Sequence, residues 1–146
     1  MSARAQAVLV VVVAFAAPAV AGCGPSKRKQ CDALVGIVND GVQRLEQVKK
    51  QQKNDPTGQL EVLAMADAME KASRDAAALK LDLAELRDLS GRYQAMTKAI
   101  AASARAVVTH AEKKETEPMK KAQQELNEAF KLEDGILEGL NKACAE

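Results

Sequence analysis

The chain has 146 residues, with 21 basic and 20 acidic side chains, so it carries no strong field to draw in nucleic acid. Aromatic residues make up 2% of it and tryptophan is absent, too few for a base-stacking platform. The length allows one small domain.

The first segment reads as an export signal. Arg4 gives a basic start, Ala7 to Ala17 is apolar, and Pro18 leads into small residues. The apolar run is about eleven residues, short of the ~20 that a membrane-spanning helix needs. That length and Pro18 argue against a retained anchor helix. Next comes Val20-Ala21-Gly22-Cys23, an aliphatic residue and two small residues ahead of a cysteine. This stretch resembles the lipobox of bacterial lipoproteins, and the resemblance is confined to the signal segment. It implies a diacylglycerol on the Cys23 thiol and cleavage ahead of it, with ordinary secretion and a free Cys23 as the alternative. Residues 1–22 are then a lipoprotein signal peptide, 23–26 a lipidated tether, and 27–146 the folded domain. Two or three acyl chains would hold stably, since each buried methylene contributes about 0.8 kcal/mol. Gly24 stands where an inner-membrane retention signal would carry Asp. In a Gram-negative host that implies the periplasmic face of the outer membrane.

Without Arg4 the mature chain balances at 20 basic and 20 acidic side chains. Of its three cysteines, an acylated Cys23 leaves Cys31 and Cys144 as an even pair in an oxidising compartment.

Four helical patterns follow. Ser26 is a candidate N-cap, ahead of Cys31, Leu34, Val35, Val38, Val42, Leu45 and Val48 at helical steps. Gly36 and Gly41 weaken this helix but permit close packing. Asn54-Asp55-Pro56-Thr57-Gly58 is a turn. The second seam is Val62, Met65, Met69, Ala72, Ala76 and Leu79, rich in small residues and gap-filling methionine. A break at 80–82 is expected, with Asp82 and Glu85 resembling a capping box. The third seam is Leu86, Leu89, Tyr93, Met96, Ile100, Ser103, Val107 and His110. Lys113 to Pro118 marks a boundary, with Thr116 as N-cap and Pro118 in the first turn. The fourth seam is Met119, Gln123, Leu126, Phe130, Glu133, Leu137, Leu140 and Cys144.

The cysteines choose between two architectures. If residues 83–144 formed a single rod, it would be about 90 Å long and would separate Cys31 from Cys144. An all-α, antiparallel up-down-up-down four-helix bundle brings the start of the first helix and the end of the last to one pole. A bridge needs Cα atoms within about 7 Å, which only the bundle supplies. Closing a loop of ~100 residues is worth roughly 4 to 5 kcal/mol in chain-entropy models, a useful term where an alanine-rich core buries little area.

Little in the sequence speaks for chemistry. His110 is the single histidine, so a Glu-x-x-His pair on two helices cannot be built, and no metal site or cofactor is expected. Ser103 and His110 lie about 10 Å apart along one helix, too far to act as nucleophile and base. No phosphate-cradling or dinucleotide-binding glycine motif is present, and an enzyme is not expected.

Three features point to binding instead. Lys27-Arg28-Lys29 lies three residues from the acylated cysteine, where each charge contributes about 1 kcal/mol near an anionic surface. Glu125, Glu128, Glu133, Asp134 and Glu138 could form an acidic docking strip, or simply a solvated face. Met65, Met69, Tyr93, Met96 and Phe130 could frame an interhelical pocket. The expected function is non-catalytic: a membrane-anchored envelope module that interacts with a protein partner. A small-ligand-binding or sensory bundle is the alternative.

Overall fold

A run of helix-forming residues broken only at three turn-rich sites folds as four helices. The structure, a computed structural model, describes residues 26–51 and 56–145. The expected signal peptide, Cys23 and the tether up to Pro25 lie outside the described residues, as do Asn54 and Asp55 of the first turn. Helix α1 spans Lys27–Gln51, α2 Gln59–Ala77, α3 Ala84–Glu112 and α4 Thr116–Cys144, and the described residues include no strand. The protein is an all-α helical bundle closed by a Cys31–Cys144 disulfide.

Cross-helix contacts give the directions. Gln30 at the start of α1 meets residues 82 and 83 just past the end of α2, whereas Gly41 lies against Ala72 within α2. Ser73 bonds to Gln94 while Arg105 reaches back to Asp67, so α2 and α3 also run oppositely. Leu89 lies under Gly139, and Ala99 shares a groove with Ala129. Neighbours along the chain are therefore antiparallel.

Helix α3 is the centre of the assembly. It packs along both α2 and α4, while α1 packs mainly on α2 and touches α3 and α4 sparsely. Leu86, Leu89, Tyr93, Met96, Ile100 and Ser103 are buried as their spacing predicts. A second buried row of Ser90, Thr97, Ala101, Ala104 and Val108 widens this face, because α3 has two full neighbours. The buried hydroxyls are satisfied: Thr97 donates to the Tyr93 carbonyl at 2.9 Å and Ser90 to the Ala76 carbonyl at 3.3 Å.

Glycine gives room for close approach at two of these contacts. A Cβ on Gly139 would come within 2.5 Å of Leu89 Cδ2. A Cβ on Gly41 would collide with the Tyr93 hydroxyl. Gly36, expected to serve the same purpose, has open space instead.

Three expectations need correction. The fourth seam holds at Leu140 and is otherwise turned: α4 buries Ala122, Ala129, Ile136 and Ala143 beside it. Small residues face α3 because they let the two helices approach closely. The expected row of Leu126, Phe130, Glu133 and Leu137 turns toward α1, which covers it only in part; Leu137 stays 37% exposed and Gln123 is exposed. Asp82 and Glu85 form no capping box, since α3 begins at Ala84 with no side-chain cap. Thr116 is the first helical residue rather than the N-cap. The α3–α4 turn is closed by the backbone: Glu115 N–H donates to the His110 carbonyl at 2.9 Å and Lys114 N–H to the Ala111 carbonyl at 3.0 Å. That is a Schellman closure, with Lys114 at φ 59° in the position that favours glycine.

Candidate functional site

One pole of the bundle gathers the features that the sequence singles out. Ser26 caps α1, its Oγ accepting from Lys29 N–H at 3.4 Å, so the helix starts immediately after it at Lys27. Lys27, Arg28 and Lys29 occupy the first turn, all exposed, and that turn contains no acidic residue. Positive charge here opposes the helix dipole. The cluster therefore stabilises nothing within its own helix.

One turn further on, Cys31 is 5% exposed and bonded to the half-buried Cys144, with Cα atoms 5.7 Å apart. Lys27, Arg28, Cys31, Asp32, Val35 and Cys144 line a solvent-open depression of ≈ 330 Å³. Lys27 and Arg28 stand four and three residues before Cys31, hence on its side of the helix. The bridge thus lies in an open hollow flanked by Lys27, Arg28 and Asp32 rather than sealed inside the core.

The same pole holds the link between α2 and α3. Gln30 is 4% exposed, and its Oε1 accepts from Asp82 N–H at 2.7 Å and Leu83 N–H at 3.2 Å. Arg87 Nη1 donates to the carbonyls of Asp82 at 2.5 Å and Leu81 at 3.3 Å. Sequence reasoning missed Gln30. The available signal was its place one helical step ahead of Leu34 and Val38, a polar side chain on an apolar row.

The expected interhelical pocket is only partly assembled. Met69, Tyr93, Met96 and Phe130 meet in the α1–α4 seam, together with Val38, Gly41 and Leu45; Met65 is not among them. The space between them is ≈ 20 Å³, about enough for one water. Drug-sized ligands occupy pockets of about 300 Å³ and more. Burial pushes the Tyr93 phenol up to about 12, with Glu133 adding and Arg44 opposing.

The five α4 carboxylates expected to form a docking strip do not form one. Glu133 is half-buried toward Tyr93. Glu125 and Glu128 line an α3–α4 groove with Lys121 and Leu132, and Glu128 accepts from Lys131 at 2.7 Å. Asp134 and Glu138 fall on another side of the helix. Arg105 makes a cross-helix clamp instead, donating to Asp67 and Glu70 at 2.7 Å each. These carboxylates raise its already high pKa.

No described helix is long and apolar enough to cross a membrane. No protein-family model, curated protein or solved structure matches this chain.

Proposed function

We propose that this chain is a non-catalytic, lipid-anchored protein of the bacterial cell envelope, with its bundle standing directly on the membrane and engaging a protein partner there. The observation that carries the proposal is the Val20-Ala21-Gly22-Cys23 stretch, followed within three residues by a helix start that presents Lys27, Arg28 and Lys29 to solvent. Acyl chains on Cys23 would hold that helix start at the head groups. The three cations would then add about 1 kcal/mol each on an anionic surface. In a Gram-negative host, Gly24 favours the periplasmic face of the outer membrane. The tight packing around Met69, Tyr93, Met96 and Phe130 favours a protein partner over a small ligand. So does Leu132, left 55% exposed.

The test is an intact mass on protein taken from its own envelope after mild cross-linking in the cell. The expected product starts at Cys23, carries two or three acyl chains and brings a stoichiometric protein with it. Cys23→Ala should release it from the membrane fraction. An unmodified Cys23 in a membrane-free product would end the anchoring reading. A retained small molecule in place of a protein would end the partner reading.

A further inference from the structure

We infer that the Cys31–Cys144 disulfide is a reducible latch: its opening by a dithiol frees α1 while α2, α3 and α4 stay assembled. Three observations carry this. They concern the bundle alone and do not depend on membrane anchoring.

The first is how unevenly the helices hold one another. Helix α4 lies along α3 through Ala122, Ala129, Ile136 and Ala143, and α2 lies along α3 through the Ser73–Gln94 and Ser90–Ala76 bonds. Helices α1 and α4 bury five residues each, but α4 lies along the central α3 for its whole length, whereas α1 packs mainly on α2. The contacts of α1 with α3 and α4 are sparse, and the disulfide is the covalent part of its hold on α4. Stability within a fold is distributed in this way, and the element with the fewest buried contacts opens first.

The second is access. Both cysteines line the open hollow of ≈ 330 Å³, and Cys144 is the more exposed of the two. A thiolate can approach Cys144 Sγ from solvent without unfolding the core.

The third is charge. Lys27 and Arg28 rim the same hollow and outnumber its one carboxylate, Asp32. They draw in an anionic thiolate and stabilise the Cys31 thiolate as it leaves.

The exchange follows from these positions. The thiolate of a dithiol attacks Cys144 Sγ, forming a mixed disulfide and expelling Cys31 as thiolate. The second thiol of the dithiol, as its thiolate, attacks its own mixed-disulfide sulfur and expels the Cys144 thiolate. The dithiol ends as a disulfide, and its two protons end on Cys31 and Cys144, so the protein gains two electrons and two protons. The freed α1 uncovers its inner row, Leu34 and Val38, and the trough of Met69, Tyr93, Met96 and Phe130 beneath it.

Hydrogen exchange read by mass, on the full-length protein before and after dithiothreitol, tests the latch. On reduction the amides of 27–51 should exchange about a hundredfold faster, while those of 59–77 and 84–144 change less than about threefold. The double variant Cys31→Ser/Cys144→Ser should match the reduced protein without reductant. Uniform acceleration across all four helices would overturn the latch, because the bridge would then hold the whole fold. Unchanged α1 protection would overturn it as well. Lys27→Glu/Arg28→Glu should slow reduction by about tenfold. An unchanged rate removes the role given to the basic rim.

Discussion

Helices α3 and α1 are built from similar residue types, yet they relate to the core differently. Helix α3 has a neighbour along each side and buries hydroxyls as well as apolar groups. Helix α1 has one extended neighbour, and at its N-terminal end it relies on two adjacent residues, Gln30 and Cys31. Amphipathic spacing alone does not tell a helix that organises a bundle from one that closes it. The number of neighbours does, and it shows as the width of the buried stripe.

The largest expected effect separates the two helices directly. Ile100→Ala in α3 should cost about 3 to 4 kcal/mol in urea unfolding and weaken exchange protection in all four helices. Val38→Ala in α1 should cost about 2 kcal/mol and weaken protection mainly within 27–51. If both variants loosen the same amides, α1 and α3 are equal partners and the comparison fails.

The Gly41 contact tests where the two helices touch. Gly41→Ala alone should destabilise by about 1 to 3 kcal/mol, because the new methyl meets the Tyr93 hydroxyl. In a Tyr93→Phe background the nearest remaining atoms are Ala72 Cβ at 3.6 Å and the ring carbon at 3.8 Å. There the substitution should recover the helix preference for alanine, about 1 kcal/mol. A change of the same sign in both backgrounds would sink this account.

The Tyr93 phenol gives a pH signature for the same contact. Its pKa is about 12 in the fold against an ordinary 10.0, so the native state holds that proton more tightly than the unfolded chain. The stabilisation is complete below pH 10 and is lost as pH rises toward 12, on the order of 2 kcal/mol in all. Unfolding midpoints measured across that window should fall more steeply for wild type than for Tyr93→Phe.

The smallest effect lies far from α1. Lys114 holds a left-handed conformation at the α3–α4 turn. Lys114→Gly should raise stability by about 1 kcal/mol, seen as a higher melting temperature. Failure to do so would mean that the lysine is held there by contacts that offset its backbone cost.

Much of the fold was legible in the residues themselves. The α3 seam from Leu86 to Ile100 came from spacing, which depends on local chain geometry, and the pairing of Cys31 with Cys144 came from cysteine parity and the topology of an up-down bundle. The face of α4 was misread because spacing favours large apolar side chains, whereas Ala122, Ala129 and Ala143 are buried by being small. The Gln30 contact was hidden for a different reason. Its partners are backbone N–H groups of residues 82 and 83, which every sequence possesses and none advertises. At the candidate site, the basic cluster and the bridge were each readable. Their shared hollow was not, since it depends on how far Cys144 lies from the helix surface.

The bridge also changes what a protease can accomplish. Cys31 and Cys144 are 113 residues apart in a chain of 146, so nearly the whole domain is a covalent ring. One backbone cut anywhere inside that ring opens it without producing two molecules. Both new ends stay attached through sulfur, and the packed helices can hold them in register. As long as the bridge is oxidised, a single cleavage inside the ring would leave this protein in one piece.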